Sequence, residues 1–148
     1  MNVEPQRTST PPATAADLLL AYLASVGDPT TASALFAHDA VLEFPYLSTV
    51  RMPSRHDGRE AIRQLLIGVI ATFDDFTFHN VVVYPSSQPS EAFAEYEVHA
   101  RTKTGVPYHQ HYAARIVARD HHITHLREFM NMVPVIRAFF PDQLPAFA

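Results

Sequence analysis

At 148 residues the chain has room for one domain with a substantial core and not for two. A net charge of -4 with only 11 Lys and Arg argues against a general nucleic-acid binder, and the absence of cysteine excludes disulfides and thiolate chemistry. Hydrophobic residues at 47% and charged residues at 18% fit a soluble globular protein; no segment approaches membrane-spanning length, so no membrane partner is expected and the location is taken as cytoplasmic.

Residues 1–13 are polar, hold Pro5, Pro11 and Pro12, and read as a flexible leader. Thr14-Ala15-Ala16-Asp17 then resembles a capping box, and Leu19, Tyr22, Leu23 and Val26 follow at helical spacing until Gly27. Asp28-Pro29 opens a second, short helix ending near Ala37, with Asp as N-cap and Pro in the first turn. A strand over 39–44 stops at Pro45. The loop over 46–57, with Arg51, Arg55 and His56, has the length of a lid or binding loop. Asp57-Gly58 starts the longest helix, about 59–73, whose stripe Ile62, Leu65, Leu66, Val69, Ile70 and Phe73 faces the core. Strands follow over 76–84, 93–102, 108–118 and 123–131. In the second and third of these Ala94, Tyr96, Val98 and Ala100, then Gln110, Tyr112, Ala114 and Ile116, share the more apolar parity. Residues 133–148 carry Val135, Ile136, Phe139 and Phe140, which pack on their own fold or on a partner. The organisation expected is a leader over 1–13, one domain over 14–140 and a tail over 141–148.

Three early helices and a late run of strands with short turns give an α+β fold with an antiparallel sheet. The sheet face away from the helices carries apolar residues such as Phe129, so a homodimer through that outer face is expected.

The candidate site centres on the last strand, where Leu126, Glu128 and Met130 share one parity. A carboxylate between bulky apolar neighbours has a partner, a raised pKa or a chemical role. The functional reading makes Glu128 a general acid/base in an apolar pocket; the structural one pairs it with Arg51, Arg55 or Arg115, since Arg127 points the other way. Tyr96, Tyr112 and Tyr22 are either donors to a substrate carbonyl or core residues with satisfied hydroxyls. Asp39 is a second polar group near the cavity or, preferred, a cap or turn residue. His79 shares parity with Val81 and Val83 and is read as partly buried, a core residue or a pocket base. His109 and His111 share a strand face, but no third ligand is evident, so no metal is expected. No glycine-rich phosphate loop and no serine nucleophile elbow occurs, so neither cofactor nor covalent intermediate is expected.

The element order, the Glu43-Phe44-Pro45 segment following Asp39, and a final strand with an acidic-aromatic pair resemble the nuclear transport factor 2-like superfamily. Within it the chain is similar to the SnoaL-like polyketide cyclases, and closer still to the phenazine-biosynthesis A/B proteins. The shared runs are Arg127-Glu128-Phe129-Met130-Asn131 and Phe73-x-Asp75-Phe76-x-Phe78-x-Asn80. The resemblance covers about 15–140. It implies a cone-shaped curved sheet wrapped around the helices, an internal pocket and dimers through the sheet. It also implies an acid/base role for Glu128, where related cyclases and epoxide hydrolases have an Asp. The phenazine proteins' helix histidine corresponds to Leu66 here, and Asp120-His121-His122 replaces the usual Asp-Gly turn. Leu66 and Met130 are expected to contact a small-molecule ligand. The function expected is proton transfer on a cyclic, largely apolar carbonyl metabolite: cyclisation, isomerisation or condensation. The alternatives are a non-catalytic binding or dimerisation module, and an epoxide-opening hydrolase drawing on Glu95, Glu97 and Arg101.

Overall fold

The computed structural model describes residues 13–144. The leader expected over 1–13 lies outside them but for Ala13, as do residues 145–148 of the tail.

The first helix, α1 (Ala15–Ser25), starts as its sequence requires: the Asp17 amide donates to Thr14 Oγ1 at 3.1 Å, and the Thr14 amide donates to the Asp17 carboxylate at 3.2 Å. α2 (Pro29–Ala34) is capped by Asp28, which accepts from the Thr31 amide at 3.2 Å. It ends sooner than expected. The chain is already extended in β1 (Phe36–Glu43), where Phe36 pairs with Ile123, so sheet pairing overrides the helical preference of Leu35 and Ala37.

The segment expected as an open loop is partly ordered, with a 3-10 turn over Pro45–Val50 and a short strand β2 (Arg55–Asp57) paired antiparallel to β1. Gly58, at φ 92°, turns the chain sharply; its amide donates to the Ala40 carbonyl at 2.7 Å, and a side chain there would be strained. α3 (Arg59–Thr72) follows, pinned to β1 by Arg59 Nε donating to the Phe36 carbonyl at 2.8 Å. Its core face is Ile62 and Leu66, with Leu65 and Val69 partly buried; Ile70 lies on the exposed flank.

The remaining strands are β3 (Phe73–Asp74), β4 (Phe78–Pro85), β5 (Glu91–Thr102), β6 (Pro107–Arg119) and β7 (His122–Met130). They form an open seven-stranded sheet in the order β2-β1-β7-β6-β5-β3, with β4 also on β5. All pairings are antiparallel except β1–β7, which is parallel, a departure from the wholly antiparallel sheet expected. Register shifts in β1–β7, β4–β5 and β6–β7 mark irregularities of the kind that bend a sheet. Asp120 and His121 both have positive φ and form the two-residue turn between β6 and β7, as an Asp-Gly pair would.

The segment after β7 is a fourth helix, α4 (Met132–Phe139), capped by Asn131 Oδ1, which accepts from the Val133 amide at 3.0 Å. Pro134 is tolerated in its first turn. Val135 is buried, and Phe139 meets Phe73 edge-on at 6.1 Å, so α4 packs on its own fold. No helix among the described residues is long and apolar enough to cross a membrane.

Candidate active site

The alternation of β5 and β6 puts Tyr96 and Tyr112 on the inner face, directly paired and stacked at 5.4 Å. On β7 the same face presents Glu128 opposite Ala114, and Met130 opposite Tyr112. α3, the Pro45–Val50 turn and α4 close over them. Between these layers lies a cavity of about 140 Å³, lined by Glu128, Met130, Tyr108 and Tyr112 from the sheet; Tyr22 from α1; Leu65, Leu66 and Val69 from α3; Phe73 with Phe76, Phe78 and Phe139; and Phe44, Leu47 and Val135 among others.

Glu128 is 3% exposed. Its Oε1 accepts the Tyr96 hydroxyl at 2.9 Å, and Oε2 has no hydrogen-bond partner among the described residues. Burial raises its pKa from 4.5 to about 7, and the Tyr96 bond pulls the other way. The ion pair considered for it does not form. Arg55 binds Asp57, Arg115 binds Glu91 at 2.6 Å, and Arg51 is exposed in a left-handed conformation. Arg127 sits on the opposite face, its guanidinium 5.5 Å above the Phe129 ring.

Tyr22, Tyr112, Leu66 and Met130 line the cavity with Glu128, and Tyr96 is buried as the hydrogen-bond donor to it. Burial raises the pKa of Tyr22, Tyr96 and Tyr112 well above the ordinary tyrosine value, with Glu128 adding to each, so all three keep their protons. Tyr108 is a lining residue that sequence reasoning passed over. Its signal was present, because it shares parity with Gln110 and Tyr112.

Two expected site residues lie elsewhere. His79 is exposed on the outer face, its ring 5.5 Å from that of His99. The positive φ of Asn80 and a register shift between His79 and Val82 break the alternation that linked it to Val81 and Val83. Asp39 is exposed within β1, out of phase with buried Ala40 and Leu42, and so is neither a cap, a turn residue nor a cavity group. Glu95, Glu97 and Arg101 are also outward, which leaves an epoxide-opening site without its second carboxylate and arginine; Glu97 instead accepts from Asn80 at 2.9 Å. His109 and His111 are exposed on that same face. His56, whose ring meets Phe44 at 6.0 Å, has a buried Nε2 without a partner among the described residues, and burial lowers its pKa.

Arranged this way, the site has one carboxyl poised between its two protonation states near neutral pH, next to neutral hydroxyls, in a largely apolar enclosure. Such a group can take up or give a proton at a bound molecule.

Comparison with known proteins places the chain in a family. The protein YesE of Bacillus subtilis (strain 168) is 31% identical over 106 residues, 71% of each chain. A candidate isomerase from Bacillus subtilis has a similar structure, with a TM-score of 0.76 and 29% identity over 84% of this chain and 91% of that one. A phenazine biosynthesis-related protein from Pseudomonas aeruginosa shares the fold, with a TM-score of 0.75 and 19% identity over 89% and 86%. Residues 19–126 match the SnoaL-like domain, a match that ends just before Glu128, and the chain belongs to that family.

Proposed function

We propose that the protein is a cofactor-free acid/base enzyme acting on a cyclic, largely apolar carbonyl metabolite, by cyclisation or isomerisation. The observation that carries this reading is Glu128: 3% exposed, facing an apolar cavity, with its pKa raised to about 7. A carboxyl tuned there serves as base and then as acid within one turnover. Tyr22, Tyr108 and Tyr112 supply hydroxyls that can donate to an oxygen as negative charge gathers on it. The likeness to a candidate isomerase supports the reaction class.

The test is turnover of a panel of cyclic ketones by wild type and Glu128→Gln. The variant should lose at least about 100-fold in kcat while keeping its circular dichroism spectrum. Undiminished turnover would remove Glu128 from the chemistry.

We also propose a homodimer through the outer sheet face. Val82, Tyr84 and Phe93 there are 47%, 52% and 51% exposed, an apolar group that a second copy would cover.

A further inference from the structure

The cavity has a charge character that proton transfer to a neutral carbonyl does not require. No Lys, Arg or His is among its lining residues, and its single carboxylate is Glu128. The wall beside that carboxylate is a connected belt of rings. Phe73 meets Tyr108 at 4.6 Å and Phe76 at 5.5 Å, Phe76 meets Phe78 at 5.5 Å, and Phe78 meets Tyr112 at 5.8 Å. Their interplanar angles range from 40° to 84°, so neighbouring rings are inclined to one another rather than coplanar.

We infer that this cavity binds organic cations: a tertiary or quaternary ammonium on a body about one aromatic ring in size, held between the Glu128 carboxylate and the ring belt. The inference rests on the same pocket as the acid/base reading and adds a second ligand class to the carbonyl metabolites proposed for it. Ring faces carry negative quadrupole density and attract cations, most strongly where water is excluded. Opposite charge also recovers part of what the ionised carboxylate loses on burial. The size follows from the volume: about 140 Å³ here, against roughly 150 Å³ for an apolar cavity known to hold benzene. The preference for a substituted ammonium follows from hydration. A primary ammonium is strongly hydrated and brings three donors, whereas a methyl-sheathed nitrogen brings fewer or none. A carboxylate-bearing ligand would face Glu128 with no cation among the lining residues to receive it.

Binding should follow the ionisation of Glu128. The other titratable groups around it are Tyr22 on α1, Tyr96 on β5 and Tyr108 and Tyr112 on β6, all with raised pKa values and therefore neutral. His56 on β2 is not among the lining residues but meets the lining residue Phe44, and burial lowers its pKa, which favours the neutral ring. With Glu128 titrating at about 7, a ligand that binds its ionised form loses about tenfold in apparent affinity between about pH 8 and about pH 6.

The experiment is isothermal titration calorimetry with trimethylphenylammonium, its uncharged shape-mate tert-butylbenzene, and benzoate. The expected result at about pH 8 is that the cation binds at least about tenfold more tightly than tert-butylbenzene, and that benzoate does not bind. Wild-type affinity for the cation should drop about tenfold at about pH 6. Glu128→Gln should erase the preference for charge while still binding tert-butylbenzene, which also reports that its cavity is intact. Equal or tighter binding of tert-butylbenzene by wild type, a cation affinity indifferent to pH, or no cation binding at all would each overturn the inference. Turnover of a neutral ketone that depends on Glu128, without cation affinity, would remove this inference and leave the acid/base reading. Cation affinity without turnover would do the reverse.

Discussion

Replacing Glu128 by Gln should make the protein more stable above neutral pH. In the fold this carboxyl titrates at about 7 against an ordinary 4.5, a difference of 7 − 4.5 = 2.5. At about 1.4 kcal/mol for each pH unit, the difference corresponds to about 3 kcal/mol. The folded state holds the proton more tightly than the unfolded chain. The group's contribution to stability is therefore fully present below 4.5 and is lost as pH rises through about 7. Glutamine cannot ionise, and its oxygen can still accept the Tyr96 hydroxyl that now lies 2.9 Å from Oε1. At about pH 8 the variant should exceed wild type by up to about 3 kcal/mol, a rise in Tm of about 6–12 °C for a chain of this size. At about pH 4.5 the two should agree within about 1 kcal/mol. Urea unfolding followed by far-UV circular dichroism at both values checks this, because the titration of all other groups cancels in the difference. A variant no more stable than wild type at the higher pH would refute the reasoning. So would a stability difference that is the same at both.

Tyr96→Phe removes the only protein hydrogen bond to Glu128 among the described residues, so the acidic inflection of the rate profile should move upward by about one pH unit; an unmoved inflection would show that the hydroxyl does not favour the ionised form. Tyr84→Lys combined with Phe93→Lys places charge in the proposed interface; light scattering should give a mass near twice 16.6 kDa for wild type and near 16.6 kDa for the variant, and equal masses would refute the interface. His121→Gly relieves a left-handed residue at φ 63° and should add about 1 kcal/mol of stability, read as a Tm about 3 °C higher; a lower Tm would show that its imidazole, which accepts from the Ala13 amide at 3.4 Å, contributes more than the strain removes.

The parts of the fold legible in the sequence are those where a side chain's position follows from alternation alone. On β5 and β6, Ala94, Tyr96, Val98 and Ala100, with Gln110, Tyr112, Ala114 and Ile116, all turn inward as their parity requires. Glu128 turns inward on β7 for the same reason. Alternation fails where the backbone slips. Asn80 at positive φ re-aims β4 and sends His79 outward, and nothing in Phe78-His79-Asn80-Val81 announces the irregularity. The early start of β1 is set by pairing of Phe36 with Ile123, far away in sequence. α4 is not announced by periodicity, and it accommodates Pro134 in a first turn where the missing donor is not needed. The parallel β1–β7 pairing, like the cavity itself, depends on how several elements meet, which local periodicity does not encode.

Why the cavity lies where it does follows from side-chain size along the inner face. Toward one end of β5 and β6 stand Ala92 and Ala94, paired with Ile116 and Ala114, with Ala118 beyond them. The alanines among these residues allow α1 to come close, and α1 packs against both strands. Toward the other end stand Tyr96 and Tyr112, with Tyr108 farther along and Val98 and Ala100 beside them on β5, and Tyr108 and Tyr112 line the cavity there. Glu128 faces Ala114, at the seam between the two regions. There it is buried enough for desolvation to govern its titration, yet its Oε2 has no protein partner among the described residues. A position farther into the alanine end would leave no space beside the carboxyl for a guest, and one at the rim would restore its hydration and with it an ordinary pKa. The chemistry proposed for the site thus depends as much on the change from alanine to tyrosine along two neighbouring strands as on the glutamate itself.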